Sequence, residues 1–120
     1  MANEFSIKGK IAVVTGGGGV LGGSIAKSMI EAGAEVIVLD IREENVNNRV
    51  KELQDMGGEA VGFVSNVLDV EEMKATRDKI LDKWGRIDIL INAAGGNLPG
   101  ATLTEEQTVF QPLRVYRVIQ

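Results

Sequence analysis

Of the 120 residues, 44% are hydrophobic and 25% are charged, and the formal net charge is −4; this balance is ordinary for one globular domain and argues against nucleic acid or an anionic membrane as the main partner. The sequence has no cysteine and no histidine, which excludes disulfides, thiol catalysis and imidazole chemistry, so no metal site is predicted. No apolar run approaches the ~20 residues of a membrane helix, and residues 1–10 lack the apolar centre of an export signal, so we expect a cytoplasmic protein.

Short apolar segments alternate with amphipathic segments along most of the chain. The predicted strands, rich in valine and isoleucine, are KIAVVT (10–15), EVIVLD (35–40), AVGFVS (60–65) and RIDILIN (86–92). Helices are predicted over residues 21–32, 42–56 and 70–84, and they end at Gly33, Gly57 and Gly85. Their inward-facing residues are predicted to be Ile25, Met29, Ile30, Val46, Val50, Leu53, Met73, Ile80 and Trp84. This βαβαβαβ order predicts an α/β fold with a parallel sheet and right-handed crossovers.

Two helix signals depend on capping residues. Asp69 and Glu72 form the pattern of a capping box at the start of the third helix. TEEQ (104–107) has the same pattern and predicts a short helix, which Pro112 interrupts. Residues 107–120 follow neither a period of 2 nor one of 3.6, so they are left as an unassigned tail after a domain of residues 1–106.

The turn between the first strand and the first helix, VVTGGGGVLGG (13–23), holds six glycines in eleven residues. A helix N-terminus offers free N–H groups and a partial positive charge, and glycine lets a phosphate approach the backbone. Gly17, Gly19 and Gly22 satisfy the dinucleotide pattern G-x-G-x-x-G between a strand and a helix. The alternative is that the glycines only form a tight turn.

An acidic residue, Asp40, ends the second strand 21 residues after Gly19. A carboxylate at this position accepts a hydrogen bond from the 2′-hydroxyl of the adenosine ribose and repels a 2′-phosphate, so NAD is favoured over NADP. The nearby Arg42 softens that preference, and the alternative role of Asp40 is only to end the strand.

Three motifs together resemble the short-chain dehydrogenase/reductase family: TGGGGVLG (15–22), Asp40 and NAAG (92–95). The resemblance spans residues 5–106. Extended members carry TGxxGxxG, which this sequence matches through Gly16, Gly19 and Gly22, whereas NAAG is similar to the NNAG motif of shorter members. The motif pair looks most like sugar-acid reductases related to mannonate or fructuronate oxidoreductases. We therefore expect a dinucleotide-binding Rossmann domain, with an open parallel sheet of order 3-2-1-4 and helices on both faces.

The resemblance implies further cofactor contacts. In SNVLD (65–69), Asn66 takes the place of a side chain that faces the adenine amino group, and the Val67 N–H contacts the ring. The NAAG segment passes beside the adenosine ribose, although Asn92 has the alternative role of a polar residue at a strand end. The predicted cofactor-binding residues are Gly16, Gly17, Gly18, Gly19, Val20, Leu21, Gly22, Asp40, Ile41, Asn66, Val67, Asn92, Ala93, Ala94 and Gly95.

The family's catalytic set has no counterpart in this sequence. The family uses a serine, a tyrosine and a lysine four residues after the tyrosine to interconvert a carbonyl and an alcohol. The sequence has one tyrosine, Tyr116, which is followed four residues later by Gln120, and it has no lysine after Lys83 and no serine after Ser65. No catalytic residue is therefore predicted. Two interpretations stay open: an NAD-dependent oxidoreductase whose chain is truncated or read in an altered frame, or a nucleotide-binding module without catalysis.

The fourth strand raises a question of assembly. Family members flank it with a fifth strand from a region that this sequence lacks, so IDILINAAG (87–95) is expected at a sheet edge. An unpaired apolar edge invites pairing with another chain. We therefore expect a homo-oligomer with residues from Ile87 onward in the contact, or a tail that folds back over this edge.

Overall fold

The computed structural model describes residues 6–93 and, for the backbone alone, residues 117–119. The elements in chain order are β1 (Ile11–Thr15), α1 (Val20–Glu31), β2 (Glu35–Asp40), α2 (Glu43–Asp55), β3 (Ala60–Val64), α3 (Val70–Trp84), β4 (Ile89–Asn92) and β5 (Arg117–Ile119). All four predicted strands and three predicted helices are present, and α3 has its predicted bounds. None of the helices in the described part of the chain is long and apolar enough to cross a membrane.

The strands form one parallel sheet in the order β3-β2-β1-β4-β5. The predicted order 3-2-1-4 is confirmed. The expectation that β4 lies at the sheet edge is wrong, because Leu90 of β4 pairs with Val118 of β5. A three-residue strand is too short to show a period, which is why the tail gave no strand signal. The predicted helix at 104–107 lies outside the described residues.

The central strands are buried from both sides. One apolar cluster joins β1, β2 and β4 to α3 through Met73 and Ile80. A second cluster on the opposite face joins the same strands to α1 and α2 through Ala26, Ile30 and Leu53. The helices therefore cover both faces of the sheet, as predicted.

Glycines end the helices as predicted, since Gly33, Gly57 and Gly85 all have positive φ angles, of 90°, 86° and 77°. The capping box at the start of α3 is only half formed. The Asp69 carboxylate accepts a hydrogen bond from the Glu72 N–H at 3.1 Å, but the Glu72 carboxylate accepts from the Asn66 N–H instead of the Asp69 N–H. The reason is that the Asp69 N–H already donates to the Asn66 carbonyl at 3.0 Å.

A buried carboxylate holds the amino end of the sheet. Asp88 Oδ2 accepts from the Ile11 N–H at 2.8 Å and from Arg86 Nε at 2.9 Å, and the Arg86 guanidinium also donates to the Gly9 carbonyl. Burial raises the pKa of Asp88, but the hydrogen bonds from Arg86 and Ile11 and the charges of Arg86 and Lys10 outweigh it, so the pKa lies below its ordinary value. The side chain of Asp88 here takes the place of a ladder carbonyl, which is why β4 begins later than predicted.

Candidate cofactor-binding site

The carboxyl ends of β1, β2 and β4 meet at one edge of the sheet. The chain passes from β1 to β2 and β3 on one side, and β4 lies on the other side of β1. Ligands of open parallel sheets bind outside the carboxyl ends of the strands, where the direction of the strand order changes. The glycine-rich loop of residues 16–19 (the glycine loop) follows β1 at this point.

Most glycines of this segment are required by the protein's own conformation and packing. Gly16 has a φ of 67°, a left-handed conformation that side chains disfavour. A Cβ on Gly22 would overlap the carbonyl oxygen of Gly16. On Gly17 it would lie 2.9 Å from Val38 Cγ1, and on Gly18 2.7 Å from the Cβ of Asn45. These four glycines therefore let the loop pack closely against α1, α2 and β2.

Gly19 differs from its neighbours. A Cβ on Gly19 would meet only the carbonyl oxygen of Gly16, at 3.4 Å, which is ordinary van der Waals contact. Its backbone, with a φ of −84° and an extended ψ, is open to any residue. Within the described residues, packing gives no reason for a glycine here. A group that approaches from outside the protein would give one.

The N-terminus of α1 lies directly after Gly19 and is uncompensated by the described residues. No side chain among them caps this helix, and its first turn contains no acidic residue, whereas α2 and α3 each have two glutamates in the first turn. The N–H groups of Val20, Leu21 and Gly22 have no acceptor in the described part of the chain. The helix end therefore presents free donors and a partial positive charge, which favour an anion.

The structure places Asp40 against the glycine loop. Its Oδ2 accepts from the Gly18 N–H at 3.0 Å, and its Oδ1 accepts from the Ile41 N–H at 2.7 Å. Each carboxylate oxygen has a further lone pair. The carboxylate is thus held in place by two backbone bonds and can still accept hydrogen bonds from the hydroxyls of a ribose.

The predicted adenine contacts lie at the end of β3. The amide oxygen of Asn66 accepts from the Leu68 N–H at 2.9 Å and forms a turn, so only its second lone pair is open to a ligand. The Val67 N–H has no acceptor among residues 6–93. The geometry at Val67 therefore suits the predicted contact better than the geometry at Asn66 does.

At the end of β4, the side chain of Asn92 is engaged by the protein. Its Oδ1 accepts from the buried Thr15 hydroxyl at 2.9 Å, and the Ala93 N–H donates to the Thr15 carbonyl at 3.1 Å. These bonds tie β4 to β1 beside the glycine loop, which is the structural role weighed for Asn92. Ala94 and Gly95 lie outside the described residues.

Two features of the site were not predicted. Arg49 of α2 donates from Nε to the Gly17 carbonyl at 3.0 Å and from Nη2 to the Gly19 carbonyl at 3.2 Å. No short motif signals such an arginine, because it comes from a different helix. Leu68 also joins the predicted Val20, Leu21 and Ile41 as an apolar side chain exposed at this edge.

The arrangement fits a dinucleotide. The uncompensated helix end suits a pyrophosphate, the held carboxylate of Asp40 suits a ribose, and the exposed apolar side chains suit flat rings. Within the described residues, no three aspartates or glutamates come together in a group that could hold a metal ion.

Comparison with known proteins gives consistent matches. Residues 10–118 match the model of the family described as short chain dehydrogenase. An uncharacterized oxidoreductase of Haemophilus influenzae is 38% identical over 106 residues, which cover 88% of this chain and 37% of the relative.

Two solved structures with bound NAD share the fold. One, described as a D-mannonate oxidoreductase from Haemophilus influenzae, has a TM-score of 0.72 and 38% identity and covers 78% of this chain and 34% of that one. The other, an NAD+-bound xylitol dehydrogenase, has a TM-score of 0.72 and 32% identity and covers 74% of this chain and 34% of that one. The chain spans 37% of the length of the curated relative and 34% of each of these two chains.

Proposed function

The chain belongs to the short-chain dehydrogenase/reductase family, as its motifs predicted, and we propose that it is the NAD-binding portion of an oxidoreductase that acts on a carbonyl/alcohol pair. The observation that carries the proposal is the free N-terminus of α1 beside Gly19, where the described residues leave both space and unpaired N–H donors. The two NAD-bound neighbours support the choice of dinucleotide.

The backbone bonds of the glycine loop limit which groups hold the pyrophosphate. The N–H groups of Gly17, Gly18 and Gly19 donate to Leu39, Asp40 and Gly16 within the protein. The donors left for the pyrophosphate are therefore the N–H groups of Val20, Leu21 and Gly22. Asp40 would hold the adenosine ribose, and NAD, when bound, supplies the acceptor for a hydride.

We predict that Gly19→Val weakens NAD binding by about ten- to a hundredfold. The valine side chain would occupy the space of the phosphate and so prevent its hydrogen bonds with the backbone N–H groups, and a hydrogen bond to a charged group contributes about 1.5–3 kcal/mol. The fold tolerates the change, since a Cβ at Gly19 meets no close neighbour. Calorimetric titration measures the dissociation constant. The matched control is Ser24→Val at an exposed position of α1, and unchanged affinity in Gly19→Val would refute the proposal.

We also propose that Asp40 favours NAD over NADP. Asp40→Ala removes the ribose acceptor and the charge that repels a 2′-phosphate. The ratio of the dissociation constant for NADP to that for NAD should therefore fall. Asp40→Asn, which keeps an acceptor oxygen but loses the charge, separates the two effects. If NADP binds the unmodified chain better than NAD, the assignment of Asp40 is wrong, and the exposed Arg42 becomes the residue to test.

A second candidate is a nucleotide-binding module without catalysis. The observation that favours it is that glutamine (Gln120), and not lysine, stands four residues after Tyr116.

We predict that the 120-residue chain alone turns over no carbonyl substrate above background, because no tyrosine–lysine pair can transfer the proton. The substrate to test is a sugar acid, the class favoured by the motif resemblance and by the name of one neighbour. Robust NADH consumption by purified protein of confirmed mass would exclude the non-catalytic module.

A cytoplasmic location and a homo-oligomer complete the proposal. The oligomer was inferred from an unpaired edge at β4, and that premise is wrong because β5 pairs there. Pairing of the tail with β4 is the alternative that the sequence left open. The homo-oligomer therefore stays a proposal without its original premise, and a monomer at sedimentation equilibrium would exclude it.

A further inference from the structure

Arg49 bridges α2 and the glycine loop. Its guanidinium lies 3.0 Å from the Gly17 carbonyl oxygen through Nε and 3.2 Å from the Gly19 carbonyl oxygen through Nη2. Its third nitrogen, Nη1, lies 2.7 Å from Glu52 Oε1. Only 15% of the Arg49 side chain is exposed, and its bond to the Gly17 carbonyl is partly buried. One rigid fork therefore holds both carbonyls that flank Gly18.

The sequence makes room for this guanidinium. A Cβ on Gly23 would overlap the Cζ and Nη2 atoms of Arg49, although Gly23 lies within a helix, where glycine costs about 1 kcal/mol relative to alanine. The last glycine of VVTGGGGVLGG thus leaves the space that the Arg49 guanidinium occupies. The guanidinium of Arg49 also places a positive charge next to the glycine loop, on its α2 side.

Arg49 fixes the direction of two peptide groups. A trans peptide is planar, so its C=O and N–H point in opposite directions. Arg49 holds the carbonyl of the Gly17–Gly18 peptide, and Asp40 holds the N–H of the same peptide. In the Gly19–Val20 peptide the carbonyl bonds to Arg49 and to the Gly23 N–H, so the Val20 N–H points away from α2.

We propose that Arg49 is a positioning residue for the dinucleotide: it turns the Val20 N–H toward the pyrophosphate and, through the Gly17–Gly18 peptide, sets Asp40 for the ribose. That the ligand is NAD rests on the proposed function, whereas the role of Arg49 in orienting the two peptide groups does not depend on a ligand. The pyrophosphate and ribose subsites are then coupled through one side chain that touches neither.

The test compares three variants in NAD titrations. Arg49→Met should weaken NAD binding by about tenfold. Arg49→Lys keeps the charge but lacks a planar fork and should recover little of the loss. Lys51→Met, which removes an exposed charge from the same helix, should change the affinity by less than about twofold. Full recovery of affinity in Arg49→Lys, or unchanged affinity in Arg49→Met, would overturn the proposal.

Amide hydrogen exchange without ligand tests the geometry itself. In Arg49→Met the Gly18 N–H should exchange faster while the Val13 N–H in β1 keeps its protection. If both amides accelerate together, Arg49 only stabilises the fold, and the proposal fails. If the unmodified chain does not bind NAD, the proposed function fails, whereas the exchange at Gly18 still decides the role of Arg49 in the loop.

Discussion

Replacing Gly22 by valine is expected to lower the free energy of unfolding by about 3 kcal/mol, the upper range for overpacking. The new Cβ would overlap the carbonyl oxygen of Gly16 and lie 2.8 Å from its carbonyl carbon. Both of these atoms are backbone, so no flexible side chain can move aside. Urea denaturation monitored through Trp84 measures the change.

Gly19→Val is the matched comparison for this prediction. It introduces the same side chain three residues earlier, at the end of the glycine loop, where the nearest described protein atom is 3.4 Å from the new Cβ. Its loss of stability should stay below about 1 kcal/mol, the cost of a poor N-cap residue. If the two variants lose equal stability, the division between glycines needed for the fold and the glycine left for a ligand is wrong.

Asp88→Ala should also lower the free energy of unfolding by about 3 kcal/mol, since it removes two hydrogen bonds to a charged group and leaves the buried Ile11 N–H without its acceptor. The Asp88 side chain is 6% exposed, so its bond to the Ile11 N–H is largely shielded from water. Asp88→Asn keeps an acceptor oxygen and should lose about 1 kcal/mol. Equal stability of Asp88→Ala and the unmodified chain would show that the network contributes nothing.

The same residue predicts a dependence on pH. The pKa of Asp88 is lower in the folded protein than its ordinary value of 3.8, so the unfolded chain binds a proton first as the pH falls. Its stabilisation is therefore complete above the unfolded pKa and is lost as the pH falls through the folded pKa. The stability difference between the unmodified chain and Asp88→Asn should shrink from about pH 5 to about pH 3. A difference that is constant over this range would contradict the assignment.

The fold was largely predictable because its signals are local. Apolar runs gave the four strands, and glycines with positive φ ended the helices where expected, as Gly33 and Gly85 show. The β5 strand was missed because three residues carry no periodic signal. The half-formed capping box at Asp69 was also missed, since the Asn66 carbonyl, which competes for its N–H, acts only in the folded turn.

The positions of the candidate site residues in the fold were predictable, but the contacts that each of them makes were not. The motif located the glycine loop and Asp40 at one edge of the sheet, where the structure has them. It could not show that Gly22 makes room for the Gly16 carbonyl, because that contact depends on the folded path of the turn, or that Gly23 makes room for Arg49, which comes from a different helix. Asn92 illustrates the same limit, since its bond to Thr15 crosses 77 residues of sequence.

We propose that the N-terminus of α1, which the described residues leave uncapped, binds the pyrophosphate of NAD. The decisive experiment is a crystal of this chain soaked with NAD. We expect pyrophosphate oxygens within hydrogen-bond distance of the Val20 and Leu21 N–H groups and a ribose hydroxyl on the Asp40 carboxylate. NAD bound elsewhere, or a soaked crystal with no NAD at saturating concentration, would contradict it.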